Sequence, residues 1–293
     1  MRAQIALILG IALSALAAVD PDAAVAAERR AQPMQFELFR EGPAEACGSS
    51  CGIWVSAIGV ITTDTPDVFE GFAKQHDIRG AVIALDSSGG SVHGAFLLGR
   101  AIRRLAMITT IGETIDLPPQ SDGMKRAMLS PWTACESMCA FVLLAGIERH
   151  VPLEAQVLVH DIWPGERRNN PTAATYSADE LAVVQRDVAQ LAQYTVEMGG
   201  TFALLEAALK IPPWEAMHQL SREELRALKM ATIDDWRLET ASTLALQATQ
   251  LPPPLHSVHQ LRHNTEGAGA KRLLEDAAAN ISVQQALQSC SVK

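Results

Sequence analysis

Ser137 and His160 are the side chains in this sequence whose types could supply a nucleophile and its base. Ser137 lies in Cys135-Glu136-Ser137-Met138-Cys139 at the head of an apolar run, and His160 closes Val157-Leu158-Val159-His160. A serine hydroxyl attacks a carbonyl only weakly until a neutral imidazole within hydrogen-bond reach takes its proton. The anion that then develops needs fixed donors. The turn Asp86-Ser87-Ser88-Gly89-Gly90-Ser91 offers backbone N–H groups that no glycine side chain covers. Each feature also has a plain structural reading: a serine at a helix start caps it, Gly-Gly turns are common, and a strand-end histidine often only packs.

The elements that must hold these groups alternate in type. Ile53 to Thr62 and Ala81 to Asp86 are apolar and β-branched, as buried strands are, and Thr65 to Gln75 between them suits a short helix. After the Gly-Gly turn, Val92 to Leu105 places Val92, Ala95, Phe96, Gly99 and Ile102 at helical spacing. Met107 to Ile111 is a third short strand. Glu113 to Pro131 is polar, with Pro and Gly, and is expected to be an exposed irregular insertion. Cys135 to Ala145 is expected to form one buried helix, and Ala155 to His160 another strand. This alternation predicts an α/β fold with a parallel sheet. Ser177-x-x-Glu180 and Ser221-x-x-Glu224 have capping-box form and each predicts a helix start.

Taken in order, Ser87-Ser88-Gly89-Gly90-Ser91-Val92, Glu136-Ser137-Met138-Cys139-Ala140 and Val157-Leu158-Val159-His160 resemble the Clp protease proteolytic subunit, within the fold group it shares with the crotonases. The resemblance covers about Ile53 to Asp235. It is closer to a secreted branch whose serine is framed as C-x-S-x-C and followed by a Gly-x-x-Arg turn, here Gly146-Ile147-Glu148-Arg149. It implies repeated β-β-α units, Ser137 as nucleophile, His160 as general base, and the N–H groups of Gly89 and Met138 as an oxyanion hole. It also implies peptide or protein substrates, no cofactor, and assembly into a homo-oligomer. The acidic third member that the resemblance calls for falls at Met217. Glu215 stands close by as the candidate third member, and Asp161, next to His160 on a strand, is expected to face away.

Residues 1–26 read as a secretory leader: Arg2, the apolar run Ile5 to Val19, then small residues with Ala24-Val25-Ala26 at the exit. The run is shorter than the roughly 20 residues that span a bilayer, so a periplasmic or secreted protein is expected, with membrane attachment only if the leader stays uncleaved. Residues 27–52 are then an N-terminal segment, 53–239 the α/β domain, and 240–293 a linker through Pro252, Pro253 and Pro254 with a C-terminal helix appended. Export permits disulfides, so Cys47, Cys51, Cys135 and Cys139 are disulfide candidates, with connectivity open. Within one regular helix Cys135 and Cys139 would stand too far apart for an unstrained bridge, which makes Cys47 or Cys51 at least as good a partner for either.

The chain carries 24 Lys and Arg against 33 Asp and Glu, a formal net charge of -9, with no basic block interleaved with aromatics, which argues against a nucleic-acid partner. The cysteine pairs are C-x3-C rather than the C-x2-C of many zinc sites, which makes the zinc reading weak. His256, His259 and His263 share a helical face but follow three prolines, so no metal site is expected. Trp132 and Trp163 flank the site elements and are candidates to line a substrate groove. Three function classes remain: an exported ATP-independent serine peptidase, an inactive scaffold or interaction module on the same fold, and an acyl-coenzyme A enzyme. Export disfavours the last.

Overall fold

A computed structural model gives the architecture, described for residues 21–237 apart from 48–50, 120–122, 168–169, 171 and 173–174. The chain enters through helix α1 (Pro21–Ala31), strand β1 (Gln35–Glu41) and the single turn α2 (Ala44–Cys47). There follow β2 (Ile53–Ile58), α3 (Thr65–Gln75), β3 (Val82–Asp86), α4 (Val92–Arg104) and β4 (Ile108–Ile111). A hairpin of β5 (Glu113–Asp116) and β6 (Arg126–Ser130) leads to β7 (Ala134–Glu136), α5 (Met138–Leu143), β8 (Arg149–His150) and β9 (Gln156–Val159). Then come α6 (Ala178–Glu197), α7 (Phe202–Leu209), β10 (His218–Gln219) and α8 (Arg222–Ala227).

Seven strands form the central sheet in the order β5-β6-β1-β2-β3-β4-β8, and β10-β9-β7 form a smaller one. The run β2-β3-β4-β8 is parallel throughout. Every residue of β3 is buried, as a parallel strand covered on both faces must be. This is the α/β class, with a mostly parallel central sheet, expected for the Clp protease and crotonase fold group.

Three expectations are corrected. Residues 113–131 are not an irregular insertion: β5 and β6 pair with each other, and β6 runs parallel to β1. Their four and five residues are too short to show a period, and Trp54 Nε1 donates to Thr114 Oγ1 at 3.1 Å, docking β5 on a core of Phe39, Trp54 and Trp236. Residues 27–52, set apart from the domain, contain β1, which pairs with β2 from Gln35↔Ile58 to Arg40↔Ile53. Finally, 135–145 is not one helix but β7, a sharp bend at Ser137, and α5. A buried apolar run does not by itself distinguish strand from helix.

The helices that carry the site are pinned from behind. Tyr194 of α6 donates to Phe141 O of α5 at 3.0 Å. It can do so because Gly99 of α4 has no Cβ, which would stand 1.8 Å from the tyrosine oxygen. Arg103 Nη2 donates to Leu144 O and Met198 O, and Arg149 Nη1 to Gly146 O, fixing the turn after α5. Both predicted capping boxes form, at Ser177/Glu180 and Ser221/Glu224. Residues 1–20 of the leader expected over 1–26, and the linker and helix expected over 240–293, lie outside the described residues, while residues 21–26 of that leader stand in α1.

Candidate active site

The serine elbow is built by two strands. β7 runs parallel to β9, Ser137 N donates to Leu158 O at 2.8 Å, and there the backbone turns into the left-handed region at φ 54°, ψ −122°. For a residue with a side chain this costs roughly 1–3 kcal/mol and persists only where the surroundings impose it. One constraint is covalent: Cys135 and Cys139 form a disulfide across Ser137, with Cα atoms 5.2 Å apart and both residues fully buried. The expectation that this pair is too far apart fails because Cys135 lies on a strand and Ser137 folds the chain back, bringing Cys139 within bridging distance. Cys51 is also disulfide-bonded. Cys290 lies outside the described residues.

The glycine turn packs directly on that elbow. Gly89 has φ +85°, and a Cβ there would lie 2.7 Å from Glu136 O, 2.8 Å from Ser137 Cβ and 3.0 Å from Met138 N. No side chain fits between them. Gly90, at φ +138°, passes Ile61 as closely, and Ile61 N to Gly89 O and Ser91 N to Ile61 O hold the turn at 2.8 and 2.7 Å. The two predicted donors differ. Met138 N–H, in the first turn of α5, has no hydrogen-bond acceptor among the described residues, as the opening N–H of a helix often lacks one. Gly89 N–H donates to Ser87 Oγ at 3.1 Å.

His160 follows β9 and is largely buried. Its Nδ1 lies 2.6 Å from Asp161 O, and because a carbonyl only accepts, Nδ1 carries the proton and Nε2 is the free lone pair of the neutral ring. Burial pulls the imidazole below its ordinary pKa, against a smaller upward pull from that carbonyl. The Trp163 ring packs at 4.6 Å. The Asp161 carboxylate accepts from Ile162 N at 2.7 Å, away from the imidazole nitrogen that its own carbonyl holds. His218 of β10 stands opposite Val159, which sets Met217 opposite His160, and Met217 lines the cleft. Glu215 is exposed, its N–H donating to Pro212 O at 3.0 Å, and it is not among the residues lining the cleft.

The cleft, of about 330 Å³, brings together Ser137, His160, Gly89 and Met138 with Val60, Ile162 and Trp163. Among the described residues Ser137 and His160 make no direct hydrogen bond. Trp132 is 75% exposed and does not line it. A cavity of about 380 Å³ between His150, Arg222 and Asp235 is larger, but no serine, threonine, cysteine or lysine lines it. Among the described residues no cluster of His, Cys, Asp or Glu is placed to hold a metal, and the histidines at 256, 259 and 263 lie outside them.

Sequence reasoning missed Arg30. From α1 its guanidinium reaches Asp86, at the end of the strand before the glycine turn, Glu136, next to Ser137, at 2.6 Å, and Thr133 Oγ1 at 2.9 Å. Thr133 in turn donates to Asp86 at 2.6 Å. The signal was Asp86 itself: a carboxylate closing a fully buried strand must find a partner.

No family model matches the chain, and no curated protein matches it. Among solved structures, the 1510-N membrane-bound stomatin-specific protease, determined as a serine-to-alanine mutant, is similar over 62% of this chain and 77% of its own, with 14% sequence identity and a TM-score of 0.40. So distant a likeness assigns neither activity nor substrate. No helix among the described residues is long and apolar enough to cross a membrane.

Proposed function

We propose that this chain is an exported, ATP-independent serine hydrolase acting on peptides or proteins, with Ser137 as nucleophile and His160 as general base. The observation that carries this reading is the left-handed backbone of Ser137 at a strand-to-helix bend, in one cleft with an imidazole whose Nδ1 is already occupied. For catalysis Ser137 Oγ must come within hydrogen-bond reach of His160 Nε2 by a change of rotamer. Oγ attacks the carbonyl carbon as its proton passes to Nε2. The tetrahedral anion accepts from Met138 N–H, and Gly89 N–H leaves the neutral Ser87 hydroxyl for it, an exchange favoured because a bond to an anion is roughly twice as strong as a neutral one. Nε2–H then protonates the leaving amine, and water resolves the acyl-enzyme by the same route. The Asp161 carbonyl takes the orienting part of a triad acid, without its charge. Export is supported by the leader-like start and by a buried disulfide beside the serine, which an oxidising compartment preserves.

A second reading, an inactive scaffold, is favoured by Met217: the position facing the base is apolar. A peptide mixture followed by mass spectrometry separates the two. The hydrolase produces new termini that vanish in Ser137→Ala and His160→Ala, whereas a scaffold produces none with any of the three proteins.

A further inference from the structure

Arg30 touches both halves of the site without touching the catalytic pair. Asp86 is the last residue of β3, which feeds the glycine turn, and Glu136 is the last of β7, which feeds the serine elbow. The backbone ties these strand ends at Glu136 N to Ser87 O, 3.0 Å. Beyond that point the contact is between Gly89, with no side chain to interlock, and a strained Ser137. Arg30 Nη1 reaches Asp86, and Nη2 reaches Glu136 at 2.6 Å, so the two arms of one planar group span the gap. All three are sheltered, with side-chain exposures of 20% for Arg30, 5% for Asp86 and 26% for Glu136, so solvent screens the contacts little.

We infer that Arg30 is a positioning residue: its fork sets the separation between the turn and the elbow, and hence between the Gly89 and Met138 donors and the Ser137 hydroxyl. The inference rests on the hydrolase reading above. It differs from a purely stabilising role, in which any cation beside Asp86 serves. A lysine supplies one charge but a single point of contact, and it cannot span both carboxylates as a fork does.

Wild type, Arg30→Lys and Arg30→Ala are compared for the rate at which a fluorophosphonate labels Ser137, for kcat and KM on a cleaved peptide, for thermal midpoint, and for amide exchange along the chain. In Arg30→Lys, with a near wild-type midpoint, labelling and kcat are expected to fall about tenfold or more while KM stays within about twofold, since displacements below 1 Å are costly at such sites. Amide exchange rises at 87–90 and 136–138 and not elsewhere. Wild-type labelling rates and exchange in both variants overturn the inference, and so does exchange that rises throughout the chain. If wild type itself takes no label, the hydrolase reading has failed separately, and the exchange pattern alone decides whether Arg30 fixes the two segments.

Discussion

Replacing Gly89 with alanine tests whether the turn and the elbow really share one tight contact. At φ +85° an alanine pays roughly 1–2 kcal/mol for the left-handed backbone. Its methyl would also sit 2.7 Å from Glu136 O and 2.8 Å from Ser137 Cβ, where ordinary contact begins at 3.4 Å. Relief moves the elbow by about 0.7 Å, more than the roughly 0.5 Å an active site tolerates, and misplacement on this scale costs up to about 100-fold in rate. Gly80→Ala is the matched control: it has φ +71° but nothing within 4 Å of a Cβ, so it carries the backbone cost without the clash. Gly80→Ala is expected to lose about 2–8 °C in unfolding midpoint, and Gly89→Ala, which adds the clash, more than that. Fluorophosphonate labelling of Ser137 should slow by about 30- to 100-fold in Gly89→Ala and stay at the wild-type rate in Gly80→Ala. Equal labelling rates in the two variants would refute the contact as a determinant of activity.

The acid limb of kcat/KM should fall below the ordinary histidine pKa of 6.5, because burial favours neutral His160. The same depression means that the unfolded chain takes up protons first as pH drops below 6.5, so His160's contribution to stability is complete above that value and lost on descending toward its folded pKa; titrating both rate and unfolding midpoint checks this, and an acid limb above 6.5 contradicts it. Cys135→Ser removes a bridge across a sequence separation of 4, worth about 2 kcal/mol by chain entropy, so a midpoint lowered by about 4–8 °C is expected in calorimetry under non-reducing conditions. Asp161→Asn and Glu215→Gln should each retain kcat within about threefold, since the Asp161 main chain holds the imidazole and Glu215 is exposed; full loss in Glu215→Gln with the fold intact makes that residue the third member instead.

What could be read in the sequence was what the chain settles locally. Ser177 and Glu180, or Ser221 and Glu224, bind within their own helix turn, so a short pattern suffices. The order Gly-Gly, Ser137, His160 was picked out by its resemblance to the Clp protease subunit, since each member alone, at an element end, also has a plain structural reading. β1 was hidden by Glu37, Arg40 and Glu41, which look like a solvated stretch, although Phe36 joins one core cluster and Phe39 the other. The disulfide pairing was misjudged because it depends on a backbone bend at Ser137 that residue type does not announce. Asp86 called for a partner, but no local pattern names Arg30 as that partner, and its bond to Glu136 spans 106 positions.

Mass-spectrometric mapping of a fluorophosphonate adduct, in wild type and in His160→Ala, is the most direct test that Ser137 is a nucleophile activated by His160. A single adduct on Ser137 is expected, with labelling slowed by about a thousandfold or more when the imidazole is removed. Folded wild-type protein that takes no label, or an adduct on Ser137 that forms at the same rate without His160, would contradict it.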